Sequence, residues 1–330
     1  MLKQVTFKSF SNYHDHMHLV GIFLGETSFK YSFPNDHPLK SSRVEIFWNL
    51  LKEGLANREN LRIIEPVIAS EDVLLLFHTK EYINFVKKAS EYGFGYLDYG
   101  DTPAFKGVFE AASYVVGTTL LGLDMIMRKE LDHAFNPNGG MHHARRDRAA
   151  GFCVFNDASI AIVHAKKDYG LKRILYVDID AHHGDGVCYE FYDDPMVFTA
   201  DIHEDGRYLY PGTGFSHETG SGEAIGTKLN IPLKPGSGDE EFKEAFTKVE
   251  EFAYRIKPEL IIFQCGADGL KNDPLTHLNY TEEAHRYATN RLHIISHELC
   301  DGRIIALGGG GYNPNNVAKA WLEVVKGLLD

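Results

Sequence analysis

Short apolar runs recur along the chain between longer stretches in which apolar residues return every three to four positions. Runs at residues 19–23, 73–77, 174–177, 196–199, 260–263 and 304–307 are rich in β-branched and aromatic side chains and bounded by polar ones, the pattern of buried strands. The stretches 41–56, 105–127, 157–167, 240–256, 281–298 and 313–328 have helical spacing. Strands alternating with helices of this length predict an α/β domain with a mainly parallel central sheet flanked by helices. No Pro/Gly/Ser-rich linker, charge block or internal repeat interrupts the 330 residues, so residues 1–330 are read as a single domain.

On this scheme the polar clusters fall at strand ends. His142 and His143 follow Gly139-Gly140 after Ala134-Phe135; Asp178, Asp180, His182, His183 and Asp185 follow the run ending at Val177; Asp268 follows Phe263; Tyr312 follows four glycines after Leu307. The C-terminal edge of a parallel sheet is where open α/β folds place their chemistry, and clusters distant in sequence converge on that edge.

The densest cluster carries three carboxylates and two imidazoles between positions 178 and 185. Buried together, such carboxylates would be forced towards their neutral forms unless a cation or paired imidazoles compensated. Catalytic zinc takes three N/O/S ligands and keeps one position for water, whose pKa falls to about 7. Asp180 and His182, two apart on an extended chain, supply two ligands, and Asp268 is the natural third, with Gly266 and Ala267 allowing close backbone approach. Two carboxylates and one imidazole also suit Fe(II), Co(II) or Mn(II); zinc is the default.

His142 and His143 are candidates for general base and acid, and Asp178 and Asp185 are left over to orient their rings. His183 is read as structural. A phenol at Tyr312 can donate a hydrogen bond to a carbonyl oxygen opposite the metal. Together these groups describe amide hydrolysis.

These motifs resemble the histone deacetylase superfamily, including bacterial acetoin-utilisation proteins and acetylpolyamine amidohydrolases. The matching segments are 37–43, GGMHHARRDRAAGFCVFND at 139–157, VDIDAHHGDG at 177–186, PGTG at 211–214, QCGAD at 264–268 and LGGGGYN at 307–313. The resemblance implies an arginase-like fold with a sheet of about eight strands. It implies one zinc ion per chain on Asp180, His182 and Asp268, with His143 as main base and acid beside Asp185. His142 becomes an electrostatic partner beside Asp178, and Tyr312 polarises the acetyl carbonyl. It further implies that Gly151, Phe152 and Tyr210 (Phe in many relatives) wall an acyl-lysine tunnel. Asp101 holds the substrate backbone at the rim, and Arg43 lines a channel behind the metal. A potassium ion sits near Asp178 and Asp201. Polyamine-specific relatives can carry an acidic gatekeeper near the position of Leu275, which is apolar here.

The remaining features bound the picture. Four dispersed cysteines without a CxxC pair argue against a disulfide framework or a thiolate zinc site, and the first residues lack the apolar core of a signal peptide. No apolar run approaches membrane-spanning length, so a cytoplasmic location is expected, with no membrane association. A net charge of −12 disfavours direct nucleic-acid binding and favours cationic substrates, acylated lysine in peptides or proteins, or acetylated polyamines. The segment His14-Asp15-His16-Met17-His18 looks metal-like but is read as a solvated turn for want of a second cluster, and His133, His164, His277 and His293 as capped or surface residues. The expected activity is zinc-dependent deacylation. Its rivals are an acetylpolyamine amidohydrolase, a two-manganese ureohydrolase and a non-enzymatic acyl-lysine reader on the same fold.

Overall fold

Strands β1 (Val20–Phe23), β2 (Leu61–Ile64), β3 (His133–Asn136), β4 (Ile174–Asp178), β5 (Val197–Glu204), β6 (Lys228–Leu233), β7 (Leu260–Gln264) and β8 (Ile304–Leu307) pair into one sheet. Every pairing is parallel and the order is β2-β1-β3-β8-β7-β4-β5-β6. These strands come from a computed structural model that describes residues 18–55 and 57–330. The helices among them are α1 (Ser42–Gly54), α2 (Glu71–Leu74), α3 (Lys80–Tyr92), α4 (Val108–Met127), α5 (Asp157–Asp168), α6 (Asp185–Glu190), α7 (Asp239–Ile256), α8 (Glu282–Leu299) and α9 (Pro314–Leu329).

The central strands are apolar on both faces because both are covered, as parallel sheets require. Along β4, Leu175 and Val177 join the core beneath α1, α7, α8 and α9, whereas Ile174 and Tyr176 join the core beneath α2 to α6. Residues alternate between the two layers with the period of a strand. Local signals start the helices: Asn156 accepts from Ser159 N at the head of α5, and Asn313 caps α9 with Pro314 at its first position. The Trp321 indole donates to Gly308 O at 2.9 Å, tying α9 to the glycine run after β8.

Strand order explains why the clusters meet. β3, β8, β7 and β4 lie side by side at the centre of the sheet although they are far apart in the chain, so the loops leaving their C-terminal ends share one edge.

Three sequence expectations are corrected. The run at 73–77 is no strand: α2 ends at Leu74 and residues 75–77 form a turn, with Leu74 and Phe77 buried while Leu75 is 40% exposed, a spacing of three that suits a helical turn. The edge strands β2 and β6 carry polar residues and so show no continuous apolar run; Lys228 of β6 buries its stem and donates to Val197 O at 2.5 Å. Finally, His133 and His293 are buried rather than at the surface, and they meet the ring of His18. Residues 14–17 of the histidine-rich segment lie outside the described residues.

Candidate active site

At the central sheet edge one acceptor atom from each of Asp180, His182 and Asp268 comes together, all within 4.8 Å of one another. The loop after β4 carries Asp180 and His182; the loop after β7 carries Asp268. Backbone and side-chain donors fix the outer oxygen of each carboxylate. Gln264 Nε2 and Gly310 N donate to Asp180 Oδ2 at 2.9 and 2.8 Å, and Ala181 N donates to Asp268 Oδ1 at 2.7 Å. The inner oxygens, Asp180 Oδ1 and Asp268 Oδ2, lie 3.1 and 2.9 Å from His182 Nδ1. Gly266 has to be glycine here, since a Cβ would lie 2.1 Å from Asp180 Oδ2. Burial, reinforced by the charge of Asp180, pushes Asp268 up to about 7. A buried, convergent set of two carboxylates and one imidazole fits a divalent cation such as zinc.

Beside it stand two His–Asp pairs. His142 Nδ1 lies 2.8 Å from Asp178 Oδ2, and His143 Nδ1 lies 2.6 Å from Asp185 Oδ1. Both pairings join the partners named from the sequence. Burial alone would lower both rings, but Asp178 and Asp180 outweigh it at His142 and raise it to about 10. At His143 burial and the neighbouring His142 charge prevail over Asp185, leaving it at about 4. The two adjacent histidines are thus electrostatically distinct, His142 held above and His143 below the ordinary histidine range. Asp185 is held down at about 2 by His143 and Arg145 despite its burial, and Arg145 Nη2 donates to its other oxygen at 2.7 Å.

Above these groups opens a cavity of about 250 Å³ whose lining includes His143, His182 and Tyr312 below and Asp101, Gly151, Phe152, Tyr210 and Leu275 above. The five substrate positions read from the sequence therefore share one pocket with the candidate chemistry. Tyr210 faces His143 edge-on at 5.1 Å, and Phe152 meets Tyr312 edge-on at 5.6 Å. Phe152 adopts φ +67°, unusual for a bulky residue, and its peptide is clamped on both sides: its carbonyl accepts from Tyr31 Oη and its N–H donates to Thr102 Oγ1. Burial together with Asp268 and Asp180 raises the Tyr312 phenol well above its usual value, so it stays a donor. At the rim, burial and a nearby Asp98 push Asp101 up to about 7.

Other expected residues sit around this core. Arg43 is buried, donates from Nη1 to Gly309 O at 2.8 Å, and leaves Nη2 without a partner. Asp201 lies opposite Asp178 in the β4–β5 register, accepting from Gly184 N at 2.8 Å, with His203 Nδ1 at 2.6 Å. His183, read as structural, places Nδ1 2.9 Å from Thr213 Oγ1.

Three positioning residues had no role in the sequence reading. Tyr176 donates to Asp178 Oδ2 at 2.6 Å, and Gln264 braces Asp180. Asp157, capping the approach to the histidine pair, accepts from Gly140 N and Met141 N and from Thr119 Oγ1 at 2.7 Å. The available signal was a lone polar atom at the end of an apolar strand, or in Asp157 a carboxylate at the first position of a helix.

Comparison with known proteins agrees with this architecture. The family model of the histone deacetylase domain matches residues 37–328. The chain is similar to the acetoin utilization protein AcuC of Bacillus subtilis (strain 168), at 44% identity over 321 residues, covering 93% of this chain and 82% of that protein. AcuC of Staphylococcus aureus (strain MSSA476) is 35% identical over 314 residues, covering 91% of this chain and 79% of that protein. Among solved structures, the HDA15 HD domain superposes with a TM-score of 0.87 at 27% identity, covering 94% of this chain and 90% of that one.

Proposed function

The chain belongs to the histone deacetylase family, and we propose that it is a zinc-dependent deacylase. On this reading it hydrolyses the amide of acetyl-lysine, or of a related short acyl amine, to a free amine and a carboxylate. The observation that carries the reading is the meeting of two His–Asp pairs and the Asp180–His182–Asp268 set, with His143, His182 and the Tyr312 phenol lining one pocket.

Zinc held by Asp180, His182 and Asp268 would supply a Lewis acid and lower the pKa of water towards neutrality. The chain's own groups do the rest. Gly151, Phe152 and Tyr210 line the path of the acyl chain, and Asp101 at the rim accepts a substrate backbone N–H. Tyr312 donates to the acyl oxygen as it gains negative charge. His143 Nε2 takes the proton of the attacking water and returns it to the leaving amine, with Asp185 on Nδ1 fixing the tautomer. His142, paired with Asp178, holds a positive charge alongside. Arg43, with one unpartnered nitrogen, offers the carboxylate product a partner. Potassium beside Asp178 and Asp201 belongs to the same proposal, supported by two buried carboxylates in register on adjacent strands.

A lysine side chain in a peptide or protein is the favoured substrate, because Leu275 at the pocket wall offers no charge to a polyamine. Among the described residues no helix is long and apolar enough to cross a membrane; a cytoplasmic site of action is part of the proposal. The test is kcat/KM on acetyl-lysine peptides, acetylpolyamines and longer acyl-lysines, with zinc and after chelation. Turnover lost on chelation and restored by zinc supports the reading. Two manganese ions per chain with guanidine hydrolysis, or tight acyl-lysine binding without turnover, sinks it. Tyr312→Phe should cut turnover severely with metal content intact.

A further inference from the structure

At the opposite edge of the sheet, four histidines from three distant parts of the chain close on one another. His18 precedes β1, His133 opens β3, and His293 and His297 stand one turn apart on α8. The ring of His18 lies 4.1 Å from His297, 5.0 Å from His293 and 5.6 Å from His133, centre to centre. We propose that this cluster is a second metal site, in which His18, His133 and His297 bind a late first-row divalent ion of the zinc type and His293 packs as a fourth imidazole beside them.

The ligand nitrogens of His18, His133 and His297 all lie within 4.8 Å of one another. His133 Nε2 and His297 Nε2 are 3.2 Å apart. Two nitrogens bound at about 2.0–2.1 Å to one tetrahedral zinc would stand roughly 3.3 Å apart, so this pair is already near ligand spacing. His133 is completely buried, and its Nδ1 makes no well-formed hydrogen bond. An all-imidazole set selects zinc, copper or nickel over magnesium or calcium, which want oxygen.

The surroundings suit a cation. Asp132, the residue before His133, accepts from the backbone N–H of Leu19, the residue after His18, at 2.7 Å, which places a carboxylate between the two ligand segments. A cavity of about 490 Å³ lined by His18, His293, His297 and Asp330 gives an ion a way in. Bound there, it would clamp the segment entering β1 to β3 and α8, far from the pocket assigned to deacylation.

The test counts zinc by elemental analysis on the full chain, equilibrated with Zn²⁺ and then freed of excess. Wild type should hold two equivalents. His297→Ala and His18→Ala should each hold one and keep deacylase activity, and Asp268→Ala should also hold one. Both histidines are only partly buried, and circular dichroism confirms that each variant is folded; His297→Gln serves as a second variant at that position. If the histidine variants keep the wild-type count, or if wild type holds a single equivalent that Asp268→Ala abolishes, the proposal fails and the 3.2 Å contact is a plain imidazole hydrogen bond. Failure of the deacylase reading would look different, with the count unchanged in Asp268→Ala and lowered in His297→Ala.

Discussion

The Tyr176 hydroxyl donates to Asp178 Oδ2 at 2.6 Å, the same oxygen that faces His142 Nδ1. A strand residue, reaching up from the core, thus sets the orientation of a carboxylate that in turn orients a histidine. Tyr176→Phe keeps the ring packing and removes only this bond. Because the acceptor is a buried carboxylate, the loss should cost about 1.5–3 kcal/mol of stability. Turnover should fall on the order of tenfold with little change in KM, since Tyr176 touches no substrate. Denaturant midpoints and steady-state kinetics check both, and an unchanged kcat would show that His142 needs no such support.

Gly151 sits at φ +52° with its missing side chain against the chemistry, where a Cβ would lie 2.5 Å from His143 Cδ2 and 3.1 Å from Tyr210 Cε1. Gly151→Ala should therefore cost about 1 kcal/mol or more in backbone strain. Displacement of the His143 ring should reduce kcat by about 100-fold, the scale of a misplacement near 1 Å. Zinc content should not change. A variant as active as wild type would mean that His143 does not need its present position.

Leu275 lines the pocket and is 37% exposed. A carboxylate at this position meets a polyamine's second ammonium group at a solvated entrance, where one favourable pair is worth about 1 kcal/mol. Leu275→Glu should raise kcat/KM for an acetylpolyamine relative to a neutral acetyl-lysine peptide by about five- to tenfold. High salt should shrink the gain. Equal ratios for the two chains would remove Leu275 from the selection of substrate.

Much of this site was legible because its chemistry is written in short segments. Asp178 to Asp185 announce themselves by charge density, and their place after an apolar run puts them at a strand end: Asp178 closes β4, the following loop carries Asp180 and His182, and Asp185 opens α6. Elimination within that segment left Asp178 and Asp185 as partners for His142 and His143; which carboxylate faces which ring was implied by the family resemblance, and the geometry has the same pairing. Tyr176 and Gln264 were not legible, since in an apolar strand a phenol or amide reads as core until its polar atom is seen to have a partner. The histidine cluster was harder still. His18 and His133 are neighbours only because β1 pairs with β3, and His297 arrives there only because α8 leads into β8, which pairs with β3 at His133. No local pattern encodes that meeting. The run at 73–77 failed for another reason: five consecutive apolar residues satisfy both periods, and only the burial of Leu74 and Phe77 against an exposed Leu75 decides between them.

His164 links α4 to α5 far from the pocket, with Nε2 2.7 Å from Asp124 Oδ1 and Nδ1 2.6 Å from Asp168 Oδ2. The hydrogen bond to Asp124, opposed by partial burial and aided by the charges of Asp124 and Asp168, raises its pKa above the usual value. A histidine whose folded pKa exceeds its unfolded pKa of about 6.5 binds its proton more tightly in the native state. Its contribution is fully present below pH ~6.5 and fades as pH rises through the folded value. The partners are partly exposed, so the contribution is modest, about 1 kcal/mol. His164→Gln should therefore lower the thermal midpoint measurably at pH 6 and much less at pH 9. Asp124, whose own pKa is lowered, adds a loss only in acid, outside this window. A destabilisation of equal size at both pH values would show that the ring acts through packing rather than charge.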